Sequence, residues 1–400
     1  MPWKMTEPMT EKERFAVLAR TGRFTISELC NDFGISRKTG HKYLLRYESE
    51  GRAGLKERSR RPKSCPFATV ESVERLILKE RRKHSTWGPK KIRDVLLKVH
   101  GIERPPHEST IGLVLSRKGL SHRRKRRRPG VHRVRPEHLT EPTRPNEVWT
   151  FDFKGWFMLQ NGHRCDPLTV CDRFTRYIIG CRACANQQFK GTLRSVKHLM
   201  RYYGLPEVIR VDNGPPFASV GLGGLSHLSV WWIENSIRVE FIAPGSPQQN
   251  GSHERMHRDL KAEVARRPSL NLSAQQKSFD RWRHTYNHER PHEALDMLRP
   301  AEVYRPSQRR LGETDSFAYP SDFTVRRVSQ SGYFSFECAK IFTSEALAGC
   351  TIGLVENERG IIELHYANLH LGNLEFTGRD SRRAGAHVVG PNQAPHAPRG

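Results

Sequence analysis

The segment VWTFDF at 148–153 alternates large apolar and small or polar side chains. In an extended strand, Trp149, Phe151 and Phe153 share one face, and Val148, Thr150 and Asp152 the other. CDPLTVCDRFTRYIIG predicts two further strands, and 188–203 a helix. VIRV at 208–211 is a short apolar strand that stops at the turn signal DNGPP. A helical stretch near 223–236 precedes a strand at 237–242. After the loop APGSP, helices follow at 252–266 and 273–287. In the first of these Met256, Leu260 and Val264 form an inward stripe. Strands followed by alternating strands and helices predict an α/β core with a mixed sheet over 141–310. Short strands and turns over 321–376 predict a small β-barrel, and the Gly/Pro/His-rich end, 380–400, a disordered tail.

Upstream the periodicity is helical. Ser27 is a candidate cap for a helix holding Leu29 and Phe33. Gly34-Ile35-Ser36 turns the chain, and a second helix from Arg37 to Tyr47 carries Arg37, Lys38, His41, Lys42 and Arg46. Short helix, glycine turn and basic helix is the order of a helix-turn-helix over 10–50, with Arg37, Lys38 and Lys42 as candidate DNA contacts. Gly40 inside the second helix is expected to cost about 1 kcal/mol relative to alanine. A Gly/Pro/Arg linker, 51–66, leads to a second helical DNA-binding unit at 67–120. Its apolar faces are Val73, Leu76 and Ile77, then Ile92, Val95, Leu96 and Val99, then Ile111, Val114 and Leu115 behind a Ser109 cap. A basic linker, 121–140, follows.

Charge sharpens this picture. The chain has 400 residues, with 68 Lys and Arg against 42 Asp and Glu, a net charge of +26. Such a surplus repels itself unless a polyanion offsets it, and nucleic acid is the default partner. From Ser109 to Pro136 there is no acid and ten basic residues, among them Arg123, Arg124, Lys125, Arg126, Arg127 and Arg128, a block suited to tracking phosphates. Met1 to Arg20 carries charges throughout, unlike a secretory leader, and no run of about 18 apolar residues predicts a membrane span. The eight scattered cysteines fit reduced thiols of a cytosolic protein.

His253-Glu254-Arg255-Met256-His257 fits H-E-x-x-H, which on a helix can hold zinc and supply a glutamate base for peptide hydrolysis. The extended pattern fails, because Leu260 and Glu263 occupy the positions of its glycine and third histidine. A second match, His288 to His292, contains Pro291, which would interrupt the helix presenting the ligands. The same helix sets Glu254, Arg258 and Lys261 on one face, an arrangement that suits a cation at the helix start and an anionic strand along it. A solvated Glu–Arg pair would look the same in isolation. However, Asp152 sits within an apolar strand and Asp212 ends another, and a buried acid is costly unless paired or ligating. Two strands and a helix thus offer three carboxylates to hard divalent cations.

The chain resembles insertion-sequence transposases of the retroviral-integrase type, in the DDE superfamily. The resemblance rests on VWTFDFKGWF around Asp152, VIRVDNGPPF around Asp212, SPQQNGSHERMHRDLK around Glu254, and YNHERPHEALDMLRPAEVY at 286–304. The helix-turn-helix with its GRAGLKERSRRP continuation is also family-like, so that the likeness runs from about residue 10 to 376. Forty-one residues separate Asp212 from Glu254, more than is usual in the family, and the excess is expected in SVGLGGLSHLSVWW. The resemblance implies a ribonuclease-H-like core in a multidomain α plus α/β chain. It implies that Asp152, Asp212 and Glu254 bind two Mg²⁺ or Mn²⁺ ions, with Arg258 and Lys261 holding the DNA backbone nearby. The partners implied are double-stranded DNA, as terminal inverted repeats and target, and further copies of the chain in a synaptic complex. A domesticated DNA-binding protein without strand transfer is the alternative, with a zinc metalloprotease behind it.

Overall fold

The computed structural model describes residues 8–59, 68–121, 139–219, 222–243, 247–313, 317–337, 339–377 and 385–389. The arginine block Arg123 to Arg128 lies outside them. So does the expected tail, apart from 385–389, which form a strand. The chain divides into two compact units, 1–69 and 70–400.

In the first unit, α1 (Pro8–Arg20), α2 (Ile26–Asp32) and α3 (Arg37–Glu50) enclose Phe15, Ala16, Leu29, Cys30, Ile35 and Leu44. The cap of α2 is Thr25 rather than Ser27. Glu28 N–H donates to Thr25 Oγ1 and the Glu28 carboxylate accepts from Thr25 N–H at 2.8 Å, a reciprocal pair that fixes the helix start ahead of Ser27. Gly34 turns the chain at φ 63°, and Ser36 caps α3. Gly40 is there for space, since a Cβ would lie 2.5 Å from Cys30 Sγ and 2.9 Å from the Phe15 ring. The helix propensity forgone at Gly40 is therefore exchanged for close packing of α3 on α1 and α2.

In the second unit, α4 (Glu71–Lys83), α5 (Pro89–Lys98) and α6 (Glu108–Arg117) surround Ile77, Trp87, Ile92, Leu96 and Ile111. His107, not Ser109, caps α6: its Nδ1 accepts from Ser109 N–H at 3.3 Å. These helices lean on the following domain through Lys83–Glu289 at 3.0 Å and Asp94–Arg299 at 3.3 Å.

The expected strand at 148–153 is β1 (Val148–Phe153). With β2 (Phe157–Met158), β3 (Arg164–Asp172), β4 (Ile178–Cys184), β5 (Val208–Val211) and β6 (Arg238–Phe241) it forms one mixed sheet. The order is β4-β3-β1-β5-β6. Antiparallel pairs join β4, β3 and β1, parallel pairs join β1, β5 and β6, and β2 pairs the start of β3. One face, with Trp149 and Phe151, packs on α7 (Phe189–Tyr203) and α8 (His227–Glu234) through Val196, Leu199, Leu228 and Trp232. The other packs on α9 (Gly251–Leu260) and α10 (Leu272–His284) through Met256, Leu260, Phe279 and Trp282. Both last helices end differently from expectation: 261–265 and 285–289 widen into π-helical turns. The second such turn aims Asn287 at the sheet, where its side chain brackets the backbone of Ile178 with bonds of 2.9 and 3.0 Å.

The C-terminal strands β7 (Thr324–Arg327), β8 (Tyr333–Phe336), β9 (Ala339–Phe342), β10 (Thr351–Glu356), β11 (Ile362–Tyr366), β12 (Leu369–Thr377) and β13 (Gly385–Val389) do not close into a barrel among the described residues. They form an open antiparallel sheet, β13-β12-β11-β10-β7, and a separate β8–β9 hairpin. Alternation announces strands, but closure depends on pairing between the first and last of them, to which local pattern is blind. The core of this sheet takes in Leu225 and Val230, with Leu222 and Ile233 packed against it, so that the 222–233 segment between Asp212 and Glu254 is covered by the C-terminal strands.

Candidate functional site

The parallel register of β1 on β5 pairs Thr150 with Arg210. Two residues further along stand Asp152, still within β1, and Asp212, just beyond β5. Alternation therefore sets them side by side on one face, at the carboxyl ends of adjacent strands. Asp212 is the first residue past β5, and its carboxylate accepts from Gly214 N–H at 3.3 Å. Asn213 donates to Ile242 O at 2.8 Å, which ties this turn to the end of β6. Glu254 lies on the first turn of α9, on its exposed side. The start of α9 is held by Gln249, whose Oε1 accepts from Ala243 N–H at 2.8 Å and whose carbonyl accepts from Arg173 at 3.2 Å.

The electrostatics single out Asp152. Burial first, then the charge of Asp212 and, more weakly, that of Glu254, push its pKa up to about 7, against opposing pulls from Lys154 and the Phe153 N–H. Other carboxylates of the sheet are matched by donors. Asp166 is gripped by the Arg164 fork at 2.6 Å twice, with Gln187 at 2.7 Å. Asp172 accepts from Asn146 N–H and from the backbone and hydroxyl of Thr175. Asp152 instead faces more carboxylate, and this is the environment a divalent cation neutralises.

His253 and His257 occupy the inner side of α9 above Thr150 and Thr169. The single proton of the Thr169 hydroxyl goes to Asp152 O at 2.9 Å, so the Nε2–H groups of both histidines donate to its oxygen, each at 2.7 Å. His253 Nδ1 then accepts from Thr150 at 2.7 Å. Burial lowers the His253 pKa to about 3 and drives that of His257 further down, so both rings are neutral. His257 Nδ1 comes within 3.4 Å of Asp152 Oδ2. Asp152, His253 and His257 therefore lie within 4.8 Å of one another, whereas the three carboxylates do not gather as closely.

This cluster does not support the peptidase reading. Both nitrogens of His253 are engaged by threonine hydroxyls, and Glu254, the base in that reading, points away from the histidines toward solvent. The second match also fails: His288 is exposed in a π turn, and His292 is buried beyond Pro291 against Tyr286. Reasoning from the sequence misses the threonine–histidine network. Its signal is the i, i+4 spacing of His253 and His257 flanking the buried stripe of Met256 and Leu260.

Arg258 and Lys261 are exposed along the Glu254 side of α9, and Arg37, Lys38 and Lys42 are exposed on α3. They belong to different compact units.

The Integrase core domain family matches residues 142–247 and, in a second form, 235–300. A Helix-turn-helix domain family matches 11–63, and a Homeodomain-like domain family 39–115. An uncharacterized 31.7 kDa protein of insertion element IS407 from Burkholderia multivorans is 33% identical over 185 residues, covering 46% of this chain and 64% of that protein, just under two thirds of its length. An uncharacterized 39.2 kDa protein of insertion element IS476 from Xanthomonas euvesicatoria is 26% identical over 284 residues, covering 68% and 77% respectively. The magnesium complex of the HTLV-2 integrase catalytic core domain superposes at a TM-score of 0.33 with 15% identity, covering 41% of this chain and all of that one. No helix among the described residues is long and apolar enough to cross a membrane. The chain thus carries helix-turn-helix and homeodomain-like matches ahead of an Integrase core domain match, and it is similar to proteins of insertion elements.

Proposed function

We propose that the protein binds the ends of a mobile DNA element, cleaves them to expose 3′-hydroxyls, and joins those hydroxyls to target DNA. The observation that carries this reading is Asp152: half-buried beside Asp212, it has its pKa raised toward neutrality by burial and by neighbouring carboxylates. Asp152, Asp212 and Glu254 are the residues that would hold two divalent cations. Bound there, Mg²⁺ or Mn²⁺ would lower the pKa of the attacking water or 3′-hydroxyl and neutralise the leaving oxygen in an in-line displacement.

The protein's own contribution is orientation. His257 stands against Asp152 Oδ2, and Thr169 holds both His257 and the Asp152 backbone. Arg258 and Lys261 would grip phosphates along α9. The exposed cations of α3 would read element ends at base edges, and the arginine block at 123–128 would add phosphate affinity. Chemistry at two ends calls for at least two protomers, acting on DNA at the nucleoid. The inverted repeats flanking the gene would supply the test substrate. In Mg²⁺, Asp152→Asn, Asp212→Asn and Glu254→Gln should each abolish cleavage and joining while end binding survives. Near-wild-type strand transfer by any one of them would refute the assignment.

A further inference from the structure

The C-terminal sheet carries a second constellation that the integrase reading does not use. Glu363 and His365 lie two residues apart on β11, so they share a face, and His370 is the direct cross-strand partner of His365 on β12. The pairing slips by one residue just beyond it, because Leu371 is an extra residue on β12. The slip brings Asn373 opposite Glu363 and leaves His370 and Asn373 on the same face. The opposite face, with Leu364, Tyr366, Leu371 and Leu374, is the buried core.

One ligand atom from each of Glu363, His365 and His370 lies within 4.8 Å of the others, and the side chains of Glu363 and His365 are only 28% and 18% exposed. The surroundings orient each group. Asn357 Nδ2 donates to Glu363 Oε1 at 2.9 Å, leaving Oε2 turned to His365 Nε2 at 3.2 Å. His370 Nε2 donates to Asn373 Oδ1 at 3.1 Å, so the ring's lone pair is on Nδ1. A carbonyl behind the distal N–H of a histidine is the usual support of a metal-binding imidazole. Gly353, which pairs with His365, makes room for an aromatic wall, since a Cβ there would lie 2.5 Å from Tyr319 and 2.6 Å from Phe323. The Phe323 ring meets His365 edge-on at 5.4 Å. The Tyr319 hydroxyl lies 3.1 Å from Thr351 O and 3.3 Å from His365 O and accepts from Ala367 N–H at 3.0 Å, which ties the hairpin to β10.

We propose that Glu363, His365 and His370 form a transition-metal site, of the class that takes Zn²⁺ or Co²⁺ through two imidazoles and one carboxylate with a fourth position open to water. The cation replaces the proton shared between His365 and Glu363 and clamps β11 to β12. Two nitrogen donors select against Mg²⁺, so this site and the three-carboxylate site discriminate between metals.

The test uses the full-length protein stripped with a chelator and titrated with Co²⁺ in excess Mg²⁺. Binding is followed by visible absorption, with Zn²⁺ content measured in parallel. One equivalent should bind with the spectrum of a four-coordinate ion. His365→Gln/His370→Gln should lose it, and Asn357→Ala should weaken it about 10–100-fold. His257→Gln, which opens the other histidine cluster, should leave it unchanged. If the double variant fails to fold, as judged by apo-protein melting, His370→Gln alone carries the same test. Absence of Co²⁺ binding by the wild type, unaltered binding in a folded His370→Gln variant, or loss of binding in His257→Gln would each overturn the proposal.

Discussion

Replacing Asp152 with asparagine should stabilise the metal-free protein at alkaline pH while destroying its function. The carboxyl titrates near 3.8 when exposed and near 7 in the fold. A folded pKa above the unfolded one means that the native state holds the proton more tightly, so stability is fully present below about pH 4 and falls as pH rises toward 7. Above 7 the ionised side chain costs the fold about 4 kcal/mol, on the order of 1.4 kcal/mol per pH unit between the two values. The neutral amide of Asp152→Asn carries no such cost. A chain of this size moves roughly 2 °C in Tm per kcal/mol, so the variant should melt several degrees above wild type at pH 8.5 in chelator. The gap should shrink at pH 5.5, where Asp152 is already protonated. Mg²⁺ should also close it at pH 8.5 by raising the wild-type Tm alone. Scanning calorimetry at the two pH values, with and without Mg²⁺, decides the matter. Parallel pH profiles for variant and wild type, or Mg²⁺ stabilising both equally, would refute the account of Asp152 as a crowded carboxylate awaiting a cation.

Other outcomes follow from the same geometry. His257→Ala should reduce strand transfer only in part and leave it dependent on Mg²⁺ or Mn²⁺; complete inactivation, or sensitivity to a zinc-selective chelator with Mg²⁺ in excess, would return the histidines to a catalytic metal role. Gly40→Ala should destabilise the first unit by about 1–3 kcal/mol through overpacking despite alanine's better helix propensity, and a gain in denaturant midpoint would contradict the close approach to Cys30 and Phe15. Arg210→Met leaves the Glu240 carboxylate, otherwise bonded by the Arg210 fork at 3.1 and 2.9 Å, without its cation inside the sheet. Chemical denaturation should show a destabilisation of about 3–5 kcal/mol, most of it restored by a second substitution, Glu240→Leu. Replacing Arg37, Lys38 or Lys42 with glutamine should erode discrimination between element ends and random DNA. Neutralising Arg123 to Arg128 should instead weaken binding to both and flatten the salt dependence, by roughly 0.9 in logarithmic slope for each phosphate no longer neutralised; competition binding at several salt concentrations separates the two.

Legibility in the sequence tracks the range of the forces involved. The strands at 148–153 and 208–211 have the bounds their residues announce, because alternation and an abrupt turn signal are local. Asp152 stands out as an acid in an apolar strand, and its place beside Asp212 follows once the two strands pair in parallel. Helix starts are less legible where a cap can be supplied by Thr25 or His107 as readily as by a nearby serine. The burial of His253 and His257 is hidden. Thr150 lies 103 residues from His253, and Thr169 lies 84 and 88 residues from the two histidines, so only tertiary packing creates these contacts. Closure of the C-terminal strands, which is not found among the described residues, likewise depends on pairing between distant parts of the chain.

The packing of 222–233 beneath the C-terminal strands has a practical implication for anyone trimming or shuffling this protein. Leu225 and Val230 are completed by Ile352, Leu364 and Leu371, residues far downstream in the chain. A boundary drawn at 310 would strip a greasy surface bare on the very stretch that bridges Asp212 to Glu254. Solubility would suffer first, and the spacing of the two acids next. Chimeras between relatives should therefore exchange the 222–233 segment and the 317–377 strands as one cassette, and a graft of either alone should yield an insoluble product.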